Sequence, residues 1–332
     1  MKNPYIARSP VKNTDVFYGR DEIMKRILRD VTRKQMQSHC IIGERRIGKT
    51  SLLFQIMNNQ VREKYVGKIK FSIFVGIDIT LFPNAPPAAF FEEWARGISK
   101  ISGQALSAEP GYLSFRKYVE SVTEAGYKII ILIDEFEATR TNSSLDRGFF
   151  EFLRALTQNY NISFILFSRV PLQHLIREEK FSGKFSSPFF NALNISYLKF
   201  LEESAAKSLI TEPAQKAGTD ITDFADFILE QVYHHPFLIQ LLSSIVFDHK
   251  QSSETNHEKI LREFNTQTEE FFTYLWQHSS PEEQEALKKL TARDQDIPKT
   301  ALDNLDRRSI IIRNEENKIF CPSFEEFVKK QI

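Results

Sequence analysis

Residues 43–50 read Gly-Glu-Arg-Arg-Ile-Gly-Lys-Thr and fit G-x-x-x-x-G-K-[ST] without deviation. Few short patterns restrict a fold as strongly, because each fixed position has a physical duty. Gly43 and Gly48 permit backbone turns that aim successive N–H groups at phosphate oxygens. Lys49 bridges terminal phosphates as a point charge, and Thr50 offers a hydroxyl to Mg²⁺. A helix opening at Lys49 adds the favourable field of its N-terminus. The binding set expected here is therefore Gly43, Arg46, Ile47, Gly48, Lys49, Thr50 and Ser51. Such a loop needs a strand before it and a helix after it. Residues 39–42 form a short apolar run, and Leu52, Leu53, Ile56 and Met57 follow at helical spacing.

The rest of the first 200 residues repeats this alternation. Residues 20–35 make an amphipathic helix with Ile23, Ile27, Leu28 and Val31 on one face, and 70–80 alternate as a strand. A loop holding Pro83, Pro86 and Pro87 precedes a helix at 89–99. Residues 128–133 are a continuous β-branched run, as suits a strand buried on both faces. A helix at 148–158 and a strand at 162–167 follow. This order implies an α/β fold with a parallel sheet covered by helices. Beyond Tyr197 the pattern becomes helical, over 201–217, 221–232, 237–249 and 257–277. Ser280, Pro281 and Glu283 make a capping box, 299–308 reads as a helix, and 309–313 with 318–321 reads as a hairpin, together a winged-helix pattern. At about 150 residues per domain, the 332 residues divide into a phosphate-loop domain (1–198), a helical lid (199–278) and a winged helix (279–332).

Two strand ends carry chemistry. Asp134 and Glu135 follow the apolar run Ile129–Ile133. A strand buried on both faces tolerates charge only where it emerges at the carboxyl edge of the sheet, where ligands bind in open α/β folds. Asp134 is expected to hold magnesium-bound water and Glu135 to orient or deprotonate an attacking water. Lys49 and Asp134 should meet across adjacent strand tips. Ser168 and Arg169 end the next strand, with Ser168 facing the water or γ-phosphate and Arg169 sensing phosphate charge. Taken alone, such a pair is more often an ordinary turn, a preference that its location one β-α unit after Asp134 reverses. In the helical region, Pro236 follows Tyr233-His234-His235 and either presses on the base or sugar or belongs to a plain helix–helix turn. Phe17 and Tyr18 precede the first helix and either line an adenine pocket or act as a hydrophobic staple. Arg45, Arg46 and Arg154 are candidates to stabilise transferring charge, and the sequence does not choose among them.

Composition excludes several alternatives. With 42% hydrophobic and 26% charged residues the chain is not globally disordered. Its 44 basic and 43 acidic residues provide no bulk field toward nucleic acid or lipid. No apolar run approaches the ~20 residues of a membrane helix, and residues 1–10 lack a signal-peptide core. Cys40 and Cys321 are too few for a disulfide framework, which fits a reducing, cytoplasmic setting. No H-E-x-x-H or G-x-S-x-G occurs.

The whole pattern resembles a P-loop ATPase of the AAA+/STAND group (signal-transduction ATPases with numerous domains). It is similar to the compact archaeal and bacterial branch, which is related to Orc1/Cdc6-type initiator ATPases. Asn3-Pro4-Tyr5 and Phe17-Tyr18-Gly19-Arg20 resemble the nucleotide-base box. Residues 43–50 match Walker A, 129–135 match Walker B, and Ser168-Arg169 resembles the first sensor with its following arginine. His234-His235-Pro236 takes the place of the lid's Gly-x-Pro, with His234 replacing the customary glycine. The resemblance implies ATP and Mg²⁺ as cofactors and an ATP-hydrolysing switch. These residues include no repeat array or fused effector of the kind large STAND proteins carry, so the switch is expected to act on a partner protein in trans or through homo-oligomers, and not on a membrane. The alternative is ATP-controlled DNA binding or loading through the winged helix. Lys299, Arg307, Arg308 and Arg313 are its cations there, offset by Asp303, Asp306, Glu315 and Glu316. A third reading is a nucleotide-stabilised scaffold without turnover.

Overall fold

The computed structural model describes residues 2–106, 109–171, 189–252, 255–294 and 296–331. By internal contacts the chain divides into two units: 20–43 with 49–198, and 1–19 with 44–48 and 199–332.

The first unit is built on five strands: β1 (Ser38–Ile42), β2 (Ser72–Asp78), β3 (Lys128–Asp134), β4 (Ile162–Ser168) and β5 (Leu193–Tyr197). They pair in the order β2-β3-β4-β1-β5, every pair parallel. The β-branched run of β3 and the Phe/Ile/Leu run of β4 are buried along almost their whole length, as expected of inner strands with helices on both faces. Edge strand β5 exposes Asn194 and Ile195, and the apolar signal of its five residues is correspondingly weak. The helices are α1 (Asp21–Thr32), α2 (Lys49–Met57), α3 (Asn59–Val66), α4 (Pro87–Ser102), α5 (Tyr112–Glu124) and α6 (Arg147–Asn159). An aromatic layer joins α4, α5 and α6: Phe91 stacks on Phe115 with centroids 4.9 Å apart, and Trp94 and Phe149 pack beside them.

α4 approaches β2 closely at Gly97. A Cβ there would stand 2.6 Å from Val75 Cγ1 and 2.9 Å from Cγ2, and valine has little rotamer freedom with which to yield. Gly97→Ala should therefore lower stability by about 1–3 kcal/mol, although alanine is the better helix former by about 1 kcal/mol. Urea unfolding checks this, and Val75→Ala in the same chain should recover part of the loss. An unchanged or higher midpoint for Gly97→Ala alone would contradict the close-approach argument.

The second unit is mainly helical: α7 (Glu203–Lys216), α8 (Ala225–Val232), α9 (Pro236–Gln251), α10 (His257–Gln277), α11 (Pro281–Thr291), α12 (Lys299–Arg307) and α13 (Pro322–Lys329). Between α12 and α13 a two-stranded antiparallel hairpin pairs β6 (Ile311–Ile312) with β7 (Lys318–Ile319). The capping box at α11 is formed: Glu283 N–H donates to Ser280 Oγ at 3.2 Å, and Ser280 N–H donates to Glu283 Oε2 at 3.0 Å. The amino-terminal segment is anchored to this unit, with Tyr5 Oη donating to the carbonyl of Ile210 and Asn3 Nδ2 donating to the carbonyl of Ser244 at 3.0 Å. Among the described residues no helix is long and apolar enough to cross a membrane.

Candidate nucleotide site

β1 runs into Gly43, and α2 begins at Lys49. Gly43 N–H donates to the carbonyl of Ser168 at 3.0 Å, which ties the loop's entry to the tip of β4. The Lys49 ammonium is buried and donates to the Gly43 carbonyl at 2.9 Å. Thr50 Oγ1 donates to Asp134 Oδ2 at 2.7 Å, so the threonine of the loop and the first acid of β3 share one place. Their strands are not neighbours. The expected adjacency is corrected by the sheet order, which puts β4 between β1 and β3. The meeting happens because Thr50 lies on α2, beyond the strand, and reaches Asp134 past the tip of β4.

Burial pushes the Asp134 carboxyl above its ordinary range, while Thr50, the Glu135 N–H and Lys49 pull the other way. Asp78 ends β2 directly opposite Asp134 in the register and adds like charge. The sequence reading leaves Asp78 out, although a carboxylate closing a strand was the signal already used for Asp134. Glu135 has a left-handed backbone, φ 50°. Burial first, and then the Glu137 carboxylate, push its carboxyl up to about 7, with Lys49 opposing. Arg169 N–H donates to Glu137 Oε2 at 3.1 Å, and Arg169 Nε lies 3.7 Å from Glu137 Oε1. Ser168 is fully buried; its hydroxyl donates to the Val170 carbonyl at 2.8 Å and accepts the Val170 N–H at 3.2 Å. The hydroxyl closes a turn, and Arg169 rests on Glu137.

Gly43, Lys49, Thr50, Asp134, Glu135, Ser168 and Arg169 thus belong to the sheet unit. Arg46, Ile47, Gly48, Phe17, Tyr18 and Pro236 belong to the helical unit. There, Gly48 at φ 104° supplies a turn closed to other residues, and Ile47 is buried. Arg46 donates to the Ala7 carbonyl at 3.3 Å and lies 4.6 Å from the centroid of Phe237, while Arg45 lies 4.6 Å from that of Tyr274. Pro236 opens α9 behind the buried N-cap His235, and His234 stacks on Tyr233 at 4.1 Å. Tyr18 Oη donates to Glu212 at 3.1 Å, and half-buried Phe17 follows a short 3₁₀ turn. Arg154, on α6, donates to Gln158 at 3.3 Å.

The sequence model of the family described as Novel STAND NTPase 2 matches residues 31–297, a span that includes the loop, both acids and Ser168-Arg169. The chain belongs to this family. Solved structures agree at the level of fold. The Walker-type ATPase PABY2304 of Pyrococcus abyssi superposes with a TM-score of 0.67 at 14% identity, over 97% of this chain and 99% of that one. The Aeropyrum pernix ORC2 protein, in ADPNP–ADP complexes, gives 0.59 at 13% identity over 99% and 97%. Drosophila ORC bound to DNA gives 0.52 at 14% identity over 86% and 75%. A comparison with curated proteins finds no match.

Magnesium suits the donors that this STAND NTPase presents. Thr50 and Asp134 offer two hard oxygens 2.7 Å apart. No group of three or more His, Cys, Asp or Glu side chains able to hold a metal occurs among the described residues. A cation that keeps most of its waters and takes its remaining ligands from phosphate needs no more protein than that pair.

Proposed function

We propose that this STAND NTPase binds ATP with Mg²⁺, hydrolyses it, and uses the reaction as a molecular switch on a partner protein or on its own assembly. The observation that carries the reading is the Thr50–Asp134 hydrogen bond beside the buried Lys49. It unites, from 84 residues apart, the groups a triphosphate and its metal require. The domain division at 198 and 278 belongs to the same proposal, as does a winged helix at the carboxyl end.

In the reaction, the loop N–H groups and Lys49 hold the phosphates, with the ammonium exchanging the Gly43 carbonyl for phosphate oxygen. Thr50 and Asp134 would hold a magnesium ion, which would supply positive charge against the phosphates. Glu135 takes a proton from water as the water oxygen bonds to the γ-phosphorus and the bridging oxygen leaves with ADP. Arg169, which pairs with Glu137, exchanges that partner for the phosphate's charge. Switching then requires that ATP and ADP favour different states of the chain, through contacts that only the γ-phosphate makes.

The DNA reading finds less support. Of its four cations, Arg308 is buried between Glu44 and Glu283, and Arg313 pairs with Asp303 at 2.9 Å. With these two already paired to carboxylates, the electrostatic gain on DNA is small. Light scattering on the full chain with ADP, with ATP and in a Glu135→Gln variant tests the switch, alongside a salt titration with duplex DNA. A mass or partner affinity that differs between ATP and ADP is the expected result. Indifference to nucleotide in every state would remove the switch, and salt-dependent duplex binding near physiological ionic strength would favour loading.

A further inference from the structure

Arg308 stands at the carboxyl end of α12, immediately before the hairpin. Its Nε donates to Glu44 Oε2 at 2.7 Å, and its Nη1 donates to Glu283 Oε2 at 2.6 Å and to Ser279 Oγ at 3.2 Å. Glu44, the second residue of the phosphate loop, uses its other oxygen, Oε1, to accept the N–H of Arg45 at 2.8 Å. Only 3% of the Glu44 side chain and 18% of the Arg308 side chain are exposed. A carboxylate buried to that degree is costly unless a cation and hydrogen bonds satisfy it, and here both are present. Burial works against the guanidinium's charge, but Glu44 and Glu283 together outweigh it and hold the group firmly protonated.

One carboxylate thus grips the loop's backbone with one oxygen and a residue 264 positions later with the other. We infer that Arg308 is a positioning residue for nucleotide binding: by pairing with the buried Glu44 carboxylate, it fixes the backbone of the phosphate loop without touching the nucleotide. The assignment rests on the loop's role as the phosphate cradle. Its chemistry is specific. Without a cation at 308, the Glu44 carboxylate loses its ion-pair partner and is drawn toward water, and its hold on the Arg45 N–H weakens. The rest of the loop's outer face is engaged by the same unit, through Arg45 on Tyr274 and Arg46 on Phe237. Those contacts are weaker and more exposed, so the ion pair is the decisive one.

The test uses the full chain and calorimetric titration with Mg·ADP. Arg308→Met is combined with Glu283→Gln, because glutamine keeps the capping box while removing the second stranded charge. That double variant should bind ADP about tenfold to a hundredfold more weakly, the range for losing a hydrogen bond to a charged group. In steady state KM for ATP should rise while kcat stays near the parental value, since the hydrogen bonds of Arg308 go to Glu44, Glu283 and Ser279 and to none of the groups assigned to the chemistry. Adding Glu44→Gln should bring ADP affinity back toward the parent, because the stranded charge is gone and an amide oxygen still accepts the Arg45 N–H. Arg308→Lys alone should fall between the two.

A merely structural arginine would lower the melting temperature and leave ADP affinity unmoved below the transition. That result overturns the inference. So does a triple variant no better than the double, since the effect would then not run through Glu44. A parental chain that takes up no ADP would remove the nucleotide reading itself. Parental binding with unmoved variants would remove only the role of Arg308.

Discussion

Lys49→Ala should raise the dissociation constant for Mg·ATP by about a hundredfold or more, the scale expected when one partner of a desolvated charge pair is truncated. Lys49 is only 6% exposed and its ammonium donates to the Gly43 carbonyl, so it is held at the loop. The truncation removes the cation proposed to hold the terminal phosphates and leaves Asp134 and Glu135, both raised by burial, without its opposing pull. Alanine is a good helix former at the first residue of α2, so the fold should survive and circular dichroism should match the parent. Lys49→Arg is the informative companion. It keeps the charge but replaces a compact point donor with a planar fork, and it should bind more weakly than the parent. Affinity of Lys49→Ala within threefold of the parent would exclude Lys49 from phosphate binding.

Glu135→Gln should lower kcat for ATP hydrolysis by about 10²- to 10⁴-fold, the range for a general base, while changing ATP affinity little. The substitution conserves shape and hydrogen-bonding length and removes only the ability to accept a proton as a carboxylate. Because burial and Glu137 push the Glu135 carboxyl up to about 7, parental activity should decline as pH falls through neutrality. A base must be deprotonated to work, so raising its pKa moves the acid limb of the profile upward. The glutamine variant should show no such limb. Single-turnover and steady-state rates from pH 6 to 8 measure both effects, and equal turnover by the variant and the parent would deny Glu135 its role.

How much of this could be read from residues alone depended on the range over which the causes act. The loop at 43–50 and the acids at 134–135 were legible because their signals are local: glycines at fixed spacing, and charge closing a buried run. The formed capping box at Ser280 was legible for the same reason. The order of strands was not, since Lys49 and Asp134 looked like neighbours until β4 was seen between their strands. Weak elements were also lost. α3 buries only Val61, and edge strand β5 buries two side chains, so neither has a strong period. α5 is a different case, because Phe115, Tyr118, Val119 and Val122 carry a plain helical period that would have found it. The final helix, α13, lies beyond the hairpin expected to end the fold. Arg308 was read as a surface cation for DNA, and nothing near it in sequence reveals that Glu44 is its partner.

In the fingerprint of a phosphate loop, the four letters between the glycines are wild cards. In this chain three of them are already claimed: Glu44 by Arg308, Arg45 by Tyr274 and Arg46 by Phe237. Selection on these letters should therefore be correlated with selection near the opposite terminus. Across relatives, loss of the acid at the position of Glu44 should travel with loss of the base at the position of Arg308. A loop transplanted from a cousin without its distant counterpart should be a poor graft, however perfect its glycines, lysine and threonine.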